Sequence, residues 1–331
     1  MIIPIVGASA LEFWLSGISA FPPDQLSVQN RKLVSLPEEY CIPYSQELYR
    51  ELAKQYGFTQ PIVVMANKET GKKIKDSFYA VKRSAKIPEK SFIQLTDKVL
   101  ISSPELCFIQ LAKIFPMSKL VEAANALCAI YSLDESATFA QIKREPITST
   151  QNIKSLIKSA NGMSGIKKAR QAISYAVDRS FSPMENKLAA LASLPLILGG
   201  YGLSKPELNE DVVLSDDAAK LLGRQACCCD LVWEKQGVIV EYDSNLTHLS
   251  VNQHTYDKRK ATALNMSGYK VFYITAANMH NFRDIETTFL NLRKFMGLRS
   301  SKDSLHKYES IRREAVRAIV FDSWRKYYIK N

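Results

Sequence analysis

The sequence predicts an α/β protein built from two domains. Three observations lead to this expectation. The chain has 331 residues, enough for two hydrophobic cores. Its 46% hydrophobic and 23% charged residues are ordinary globular proportions. Helical and strand-like hydrophobic periods are mixed along it. The polar stretch 132–151 is the expected linker, so an N-terminal α/β domain should cover residues 1–150 and a second domain residues 151–331.

The first domain mixes helical and strand patterns from its start. The apolar N-terminus is expected to form a core strand and a helix rather than a signal peptide, because it carries Glu12 and its first basic residue is Arg31. Amphipathic periods and a Ser-Pro-Glu helix start predict further helices at 45–56, 106–115 and 119–131. Alternating or β-branched runs predict strands at 61–65, 76–82 and 92–101.

The second domain begins with two helices and then follows the order αβββαβ. Cap residues and apolar periods predict helices at 152–160, 164–178, 182–198 and 253–267. β-branched runs predict strands at 210–214, 227–233, 238–243 and 269–275, of which the second and third form a hairpin. Two more helices, at 281–296 and 302–326, are expected to close the chain.

The hairpin should bring three carboxylates together. If its turn is symmetric about residues 235–236, Asp230 lies opposite Glu241, with Cβ atoms about 4.5–5.5 Å apart. Asp243 shares the face of Glu241, because side chains alternate along a strand. Carboxylates this close raise each other's pKa, and a hard divalent cation removes their repulsion. These residues therefore predict a site for Mg²⁺ or Mn²⁺ that could activate water and stabilise a phosphoryl transition state.

Composition bears on the partners and the compartment. The six cysteines form no CxxC pair, and the three contiguous ones at 227–229 predict a buried strand. A net charge of +11 is consistent with nucleic acid as partner. Basic residues are concentrated in the segments 154–179 and 302–331, which are either nucleic-acid surfaces or solvated helices. In the second interpretation, the aromatic residues of the segment 302–331 pack that helix against the protein. No stretch is long and apolar enough for a membrane, so we expect a cytoplasmic protein.

These motifs together resemble the PD-(D/E)XK nuclease superfamily, most closely its very-short-patch-repair endonuclease-like branch. The resemblance covers about residues 164–297, on motifs found here as Ser182 to Glu185, Asp230, Glu241-Tyr242-Asp243-Ser244, His248, Asp257-Lys258-Arg259 and Gly268 to Thr275. It implies a restriction-endonuclease-like core and metal-dependent hydrolysis of phosphodiester bonds, with DNA as the expected substrate. It also implies that Asp230 and Glu241 bind Mg²⁺, that Asp243 completes the metal shell, and that His248 assists the water or the leaving group.

The same resemblance leaves a second function open. Asp243 stands where the superfamily usually has Lys, and Ser244 stands where this branch has Gly. Both departures fit an alternative, a catalytically inactive nucleic-acid-binding or antitoxin-like regulator. Residues 9–11 and 102–105 loosely resemble the domain found beside such nucleases in AbiEi-type antitoxin-like proteins, which implies a protein partner encoded in the same operon.

Two candidate residues keep two interpretations each. Glu185 is the third residue of a helix capped by Ser182, where a capping box explains it, or it joins the site. His248 is a base or a phosphate ligand, or it is a histidine of a surface loop, and His254 competes for the same role.

Overall fold

The computed structural model describes residues 1–15, 31–67, 77–84, 86–133, 141–243, 251–299 and 301–327. It is an α/β protein with mixed sheets flanked by helices. The chain divides into two units, Met1–Ser174 with Ser323–Asn331, and Tyr175–Asp322. The division therefore comes after the two helices that we placed at the start of the second domain, and the end of the chain belongs to the first unit.

A six-stranded mixed sheet lies at the centre of the first unit. Its strands are β1 (Ile3–Ile5), β2 (Leu33–Val34), β3 (Ile62–Ala66), β4 (Phe78–Lys82), β5 (Phe92–Gln94) and β6 (Val99–Ser102). They are ordered β2-β5-β6-β1-β3-β4, with β1 parallel to β6 and antiparallel to β3. A separate antiparallel pair is formed by β7 (Tyr131–Leu133) and β8 (Gln141–Lys143).

In the described part of this unit, six helices accompany these strands, and their ends follow the capping residues in the sequence. They are α1 (Gly7–Leu15), α2 (Gln46–Tyr56), α3 (Pro104–Leu111), α4 (Met117–Leu127), α5 (Thr150–Ser159) and α6 (Ile166–Tyr175). The hydroxyl of Ser45 caps α2, which ends at Gly57 in the left-handed conformation. Ser103 caps α3, and Pro104 occupies its first turn, as the sequence predicts.

The second unit is organised around a four-stranded mixed sheet. Its strands are β9 (Glu207–Val213), β10 (Ala226–Trp233), β11 (Val238–Asp243) and β12 (Lys270–Thr275), ordered β12-β11-β10-β9. Neighbours are antiparallel from β9 to β11, whereas β11 and β12 are parallel. The helices are α7 (Pro183–Ser193), α8 (Asp216–Leu222), α9 (Val251–Met266), α10 (Ala276–His280), α11 (Phe282–Phe295), α12 (Lys302–Lys307) and α13 (Glu309–Val320).

Several elements differ from the expectation. The strand expected at 92–101 is a hairpin, β5 and β6, whose turn is held by Thr96. The expected linker 132–151 contains β8 and the start of α5, and its residues 134–140 lie outside the described part of the chain. A helix that we did not expect, α8, comes between β9 and β10. The long helix expected at 302–326 is divided into α12, α13 and a 3₁₀ turn, Trp324–Tyr327.

Candidate functional site

The hairpin of β10 and β11 has the predicted register. Leu231, Val232 and Trp233 pair with Val240, Ile239 and Val238. A 3₁₀ turn over Glu234–Gln236 joins the strands and ends at Gly237, whose φ is +60°. This pairing ends at Leu231 and Val240, one residue before Asp230 and Glu241, so the direct opposition of these two residues stays a prediction.

The two strands of the hairpin are joined differently at Asp230. The pairing ends at Leu231, and Asp230 Oδ2 accepts the backbone N–H of Tyr242 at 2.7 Å. The Asp230 carboxylate thereby accepts the hydrogen bond that a backbone carbonyl of β10 would accept in a regular ladder. The donor, Tyr242, is the residue after Glu241. Burial raises the pKa of Asp230, and the Tyr242 N–H and the charge of Lys260 oppose that rise.

Glu241 is buried and forms an ion pair with a lysine from α9. Its side chain is 11% exposed, and Lys260 Nζ lies 2.7 Å from its Oε1. Within the described residues that oxygen accepts no well-aligned hydrogen bond, so the ion pair is its main compensation. Burial raises the pKa of Glu241 and the charge of Asp230 raises it further, while Lys260 lowers it. One buried and one partly buried carboxylate thus share one ammonium group.

Sequence reasoning missed Lys260, although a signal for it was present. The resemblance drew attention to Asp257 and Arg259, and Arg259 is exposed. Lys260 lies three and four residues before the buried Ala263 and Leu264, on the stripe of α9 that faces the sheet. A lysine on the apolar face of a helix needs a buried partner, and that requirement could have identified it. Burial lowers the pKa of Lys260, but Glu241 outweighs this effect and the pKa is raised.

Glu185 lies in the first turn of the helix that Ser182 caps, and its carboxylate is turned toward Phe181 and Asn209. The hydroxyl of Ser182 accepts the backbone N–H of Glu185, as expected for the helix cap. Glu185 Oε2 accepts the Phe181 N–H at 2.8 Å and Asn209 Nδ2 at 2.7 Å. Burial raises the pKa of Glu185 to about 7, and the charge of Asp230 contributes to the rise. The carboxylate thus accepts the N–H of Phe181 rather than the Ser182 N–H that a capping box requires, and the helix cap alone does not account for Glu185.

Among the remaining candidates Asp243, Ser244, His248 and His254, the structure describes the side chain of Asp243. Asp243 is the last residue of β11 and pairs with Thr275 of β12. Among the described residues, no three His, Cys, Asp or Glu side chains form a group that could hold a metal ion. Ser244 and His248 lie outside the described residues, as does the side chain of His254. Metal binding by Asp230, Glu241 and Asp243 and the role of His248 stay predictions.

The contiguous cysteines lie in a strand, as predicted, but this part of the strand is buried on one face only. Cys227 and Cys229 are buried in the core between the sheet and α9, and Cys228 is exposed. All six cysteines are free thiols. A hydrogen bond to Cys227 and burial raise the pKa of Cys229, so its thiol stays protonated beside Glu241.

The aromatic residues of the last segment are partly accounted for by packing. Trp324 stacks on Phe115 with ring centres 5.8 Å apart, and Tyr327 contacts the same ring. Within the described chain, no helix combines the length and the apolar character that crossing a membrane requires.

No model of a known protein family matches this chain, and comparisons with curated proteins and with solved structures return no match. The geometry of the site itself indicates which chemistry it can support. Asp230 and Glu241 place two carboxylates where the hairpin opens, and Lys260 supplies one positive charge. Burial strengthens the electrostatic interactions of all three groups. Such a group can hold a cation, stabilise a negatively charged phosphate, or remain a purely structural ion pair.

Proposed function

We propose that this protein is a metal-dependent endonuclease that hydrolyses phosphodiester bonds of nucleic acid, with DNA as its substrate. The observation that carries the proposal is the buried carboxylate of Glu241 with the partly buried carboxylate of Asp230, beside Lys260. A buried carboxylate whose pKa is raised by a second carboxylate costs stability, and such groups are concentrated at functional sites. A hairpin that needed only structural stability would be served better by apolar residues at these positions.

The donor set fits Mg²⁺ or Mn²⁺. Asp230 and Glu241 offer the hard oxygen ligands that these ions prefer, and Glu241 Oε1 lacks a well-aligned hydrogen bond within the described residues. When bound, the metal ion would activate a water molecule and stabilise charge on the phosphate. Asp243 and His248 remain proposed as a further ligand and as a general base or acid.

In the proposed site, Lys260 would supply the positive charge that the superfamily usually has at the position of Asp243. The superfamily pattern expects a positive charge two residues after Glu241, where this chain has an acid. Lys260 brings an ammonium group to Glu241 from α9 instead. In the proposed site it orients Glu241 and contributes positive charge for the phosphate. Glu185, with a pKa of about 7, can exchange a proton near neutral pH and holds Asn209 in place.

The sheet order supports the restriction-endonuclease-like core that the resemblance implies. Helix α7 precedes an antiparallel run of β9, β10 and β11, and α9 connects β11 to the parallel strand β12. This order is αβββαβ, with α8 inserted after its first strand. The candidate carboxylates lie on the second and third strands of the core.

The proposal is tested with supercoiled plasmid DNA and Mg²⁺ or Mn²⁺. We expect nicking by the wild-type protein and none by Glu241→Gln, which keeps the side-chain volume but weakens metal binding. Glu234→Gln is the matched control, because Glu234 is an exposed acid in the turn of the same hairpin. Loss of nicking in both variants, or in neither, would contradict the assignment of Glu241.

One observation favours the regulator as second candidate. The ion pair with Lys260 already compensates the charge of Glu241, as would be expected of a site that has lost its metal. A regulator should show no nicking, and its melting temperature should not respond to Mg²⁺ or Mn²⁺. A metal-binding site should be stabilised by about 2.7 kcal/mol at a free concentration 100 times Kd. The response of the melting temperature therefore separates the two candidates.

A further inference from the structure

The positive charge of this protein is concentrated in one of its two units. The first unit holds 25 of the 44 Lys and Arg but 15 of the 33 Asp and Glu, whereas the second holds 19 and 18. Nearly the whole surplus of +11 therefore belongs to the unit that lacks the candidate site. A surplus concentrated in this way points to a binding surface rather than to the general solubility of the chain.

One long segment, which lies almost entirely in the first unit, contains basic residues but no acidic ones. No Asp or Glu occurs between Glu145 and Asp178, a stretch that carries five Lys and Arg and includes α5 and α6. Lys168 points inward and donates to the carbonyl of Phe115. Lys158, Lys167 and Arg170 are exposed. The last two are three residues apart and share one face of α6.

The fold adds a cation from another part of the chain. Lys86 lies against Gly162 in the turn between α5 and α6. A Cβ atom placed on Gly162 would be 3.2 Å from Lys86 Nζ. Arg170 Nη2 contacts Asn161 Oδ1 in the same turn at 3.4 Å. We call Lys86, Lys158, Lys167 and Arg170 the basic surface. Within the described part of the chain, none of these four forms an ion pair with an acidic side chain.

The neighbouring side chains indicate the kind of polyanion. The other exposed side chains of α5 and α6 are small or amide residues, namely Gln151, Ser155, Ser159, Gln171 and Ser174. Such groups donate to phosphate oxygens. Neither helix exposes a large apolar side chain of the kind that inserts into a lipid surface. Tyr175 is the one aromatic residue of the two helices, so they offer little surface for stacking single-stranded bases.

We infer that the basic surface binds the phosphate backbone of duplex nucleic acid without regard to sequence. The inference rests on the proposed function for its class of partner, but it concerns a separate unit and needs no metal. The basic surface would hold the duplex by neutralising phosphates and releasing counterions. Binding and cleavage would then depend on different residues.

The test measures binding of a short mixed-sequence DNA duplex by fluorescence anisotropy, in a chelator and across a series of NaCl concentrations. The variant Lys158→Gln/Lys167→Gln/Arg170→Gln should bind at least tenfold more weakly. Its slope of log Kd against log salt should fall by about 2.7, or about 0.9 for each lost cation. The matched control, Arg50→Gln/Lys54→Gln/Lys98→Gln, removes the same charges from exposed positions elsewhere in the first unit and should leave the slope unchanged.

The outcomes separate this inference from the proposed function. Equal weakening in the two triple variants would show only the effect of net charge and would overturn the inference, as would unchanged binding in both. Binding to phosphatidylserine vesicles but not to duplex would also overturn it. A protein that binds duplex through the basic surface but never nicks it would keep the inference and refute the nuclease. Melting curves of both variants confirm that the fold is intact.

Discussion

At the scale of single residues, the partnership of Glu241 with Lys260 decides how the candidate site is held together. Both side chains are largely buried and lie 2.7 Å apart. Removing one partner of a buried pair leaves an uncompensated charge, which typically costs about 3–5 kcal/mol. We therefore predict that Lys260→Met lowers the free energy of unfolding by about that amount near neutral pH, measured by urea denaturation.

A double-mutant cycle isolates this interaction. The variant Glu241→Gln/Lys260→Met removes both charges and should be more stable than Lys260→Met alone. If the site binds metal, Mg²⁺ should raise the melting temperature of Lys260→Met more than that of the wild-type protein, because the cation replaces the lost ammonium. Equal costs for the double and the single variant would refute the coupling.

Glu185 should make stability depend on pH. Its pKa is raised from 4.5 to about 7 in the folded protein. The folded state therefore binds a proton that the unfolded state releases between these two values, and stability falls as pH rises through this window. The shift corresponds to roughly 3 kcal/mol at about 1.4 kcal/mol per pKa unit.

The variant Glu185→Gln should lose this dependence. Its unfolding free energy, measured at about pH 4.5 and about pH 8, should fall less than that of the wild-type protein, with a difference of up to roughly 3 kcal/mol. Glutamine keeps an oxygen that can accept from Phe181 and Asn209, so the cap should persist. Parallel pH profiles of the two proteins would show that Glu185 stays ionised.

The residues of the site differed in how far the sequence could predict them. Asp230 and Glu241 were singled out because a symmetric hairpin turn determines which residues face each other, and the observed register agrees with it as far as Leu231 and Val240. Local spacing places Lys260 on the apolar face of its helix, but its contact with Glu241 depends on how α9 packs on the sheet. The link between Asp230 and Glu185 depends on tertiary packing in the same way.

At the scale of elements, the turn of the hairpin limits what the site tolerates. Gly237 has φ of +60°, and a Cβ atom there would lie 3.2 Å from the carbonyl oxygen of Gly268. Gly223 ends α8 at φ of +75° with no atom within 4 Å of such a Cβ. Both positions disfavour a side chain, by roughly 1–2 kcal/mol, but only Gly237 adds a close contact.

We predict that Gly237→Ala costs more stability than Gly223→Ala, by about 1 kcal/mol or more. The contact lies where Lys270 N–H donates to Gly237 O, so the pairing of β11 with β12 should be disturbed as well. Thermal or urea unfolding of the two alanine variants measures the difference. Equal losses of stability in the two variants would mean that the backbone around Gly268 shifts to accommodate the new methyl group without a cost in free energy.

Helices with capping signals were predicted more closely than the connections between elements. Ser45, Ser103 and Ser182 each cap the helix that we expected to start there. The strand expected at 92–101 is instead a hairpin, because the polar run from Thr96 to Lys98 forms a turn. The expected linker failed for a similar reason, since a polar stretch can pair with a neighbouring strand as readily as it can form a loop.

At the scale of the whole molecule, the surplus of positive charge and the candidate site lie in different units. The candidate carboxylates belong to Tyr175–Asp322, and the charge surplus belongs to the first unit. The domain boundary was expected at the polar stretch 132–151, but that stretch contains β8 and the start of α5, and the division comes at Ser174. Nor could the sequence show that residues from Ser323 onward belong with the first unit, since that depends on contacts between distant parts of the chain.

Trp324 and Tyr327 should therefore stabilise the first unit rather than bind bases. Trp324 stacks on Phe115, and Lys119 Nζ lies 4.1 Å from the centre of the Trp324 ring. Trp324→Ala should cost about 2 kcal/mol, less than the roughly 3–5 kcal/mol of a fully buried tryptophan, because Trp324 is only half-buried. Phe321→Ala, at a ring that is 53% exposed, is the control and should change stability little. Neither change should alter the salt dependence of duplex binding. Weaker binding by Trp324→Ala with an unchanged melting temperature would instead return this segment to the nucleic-acid interface.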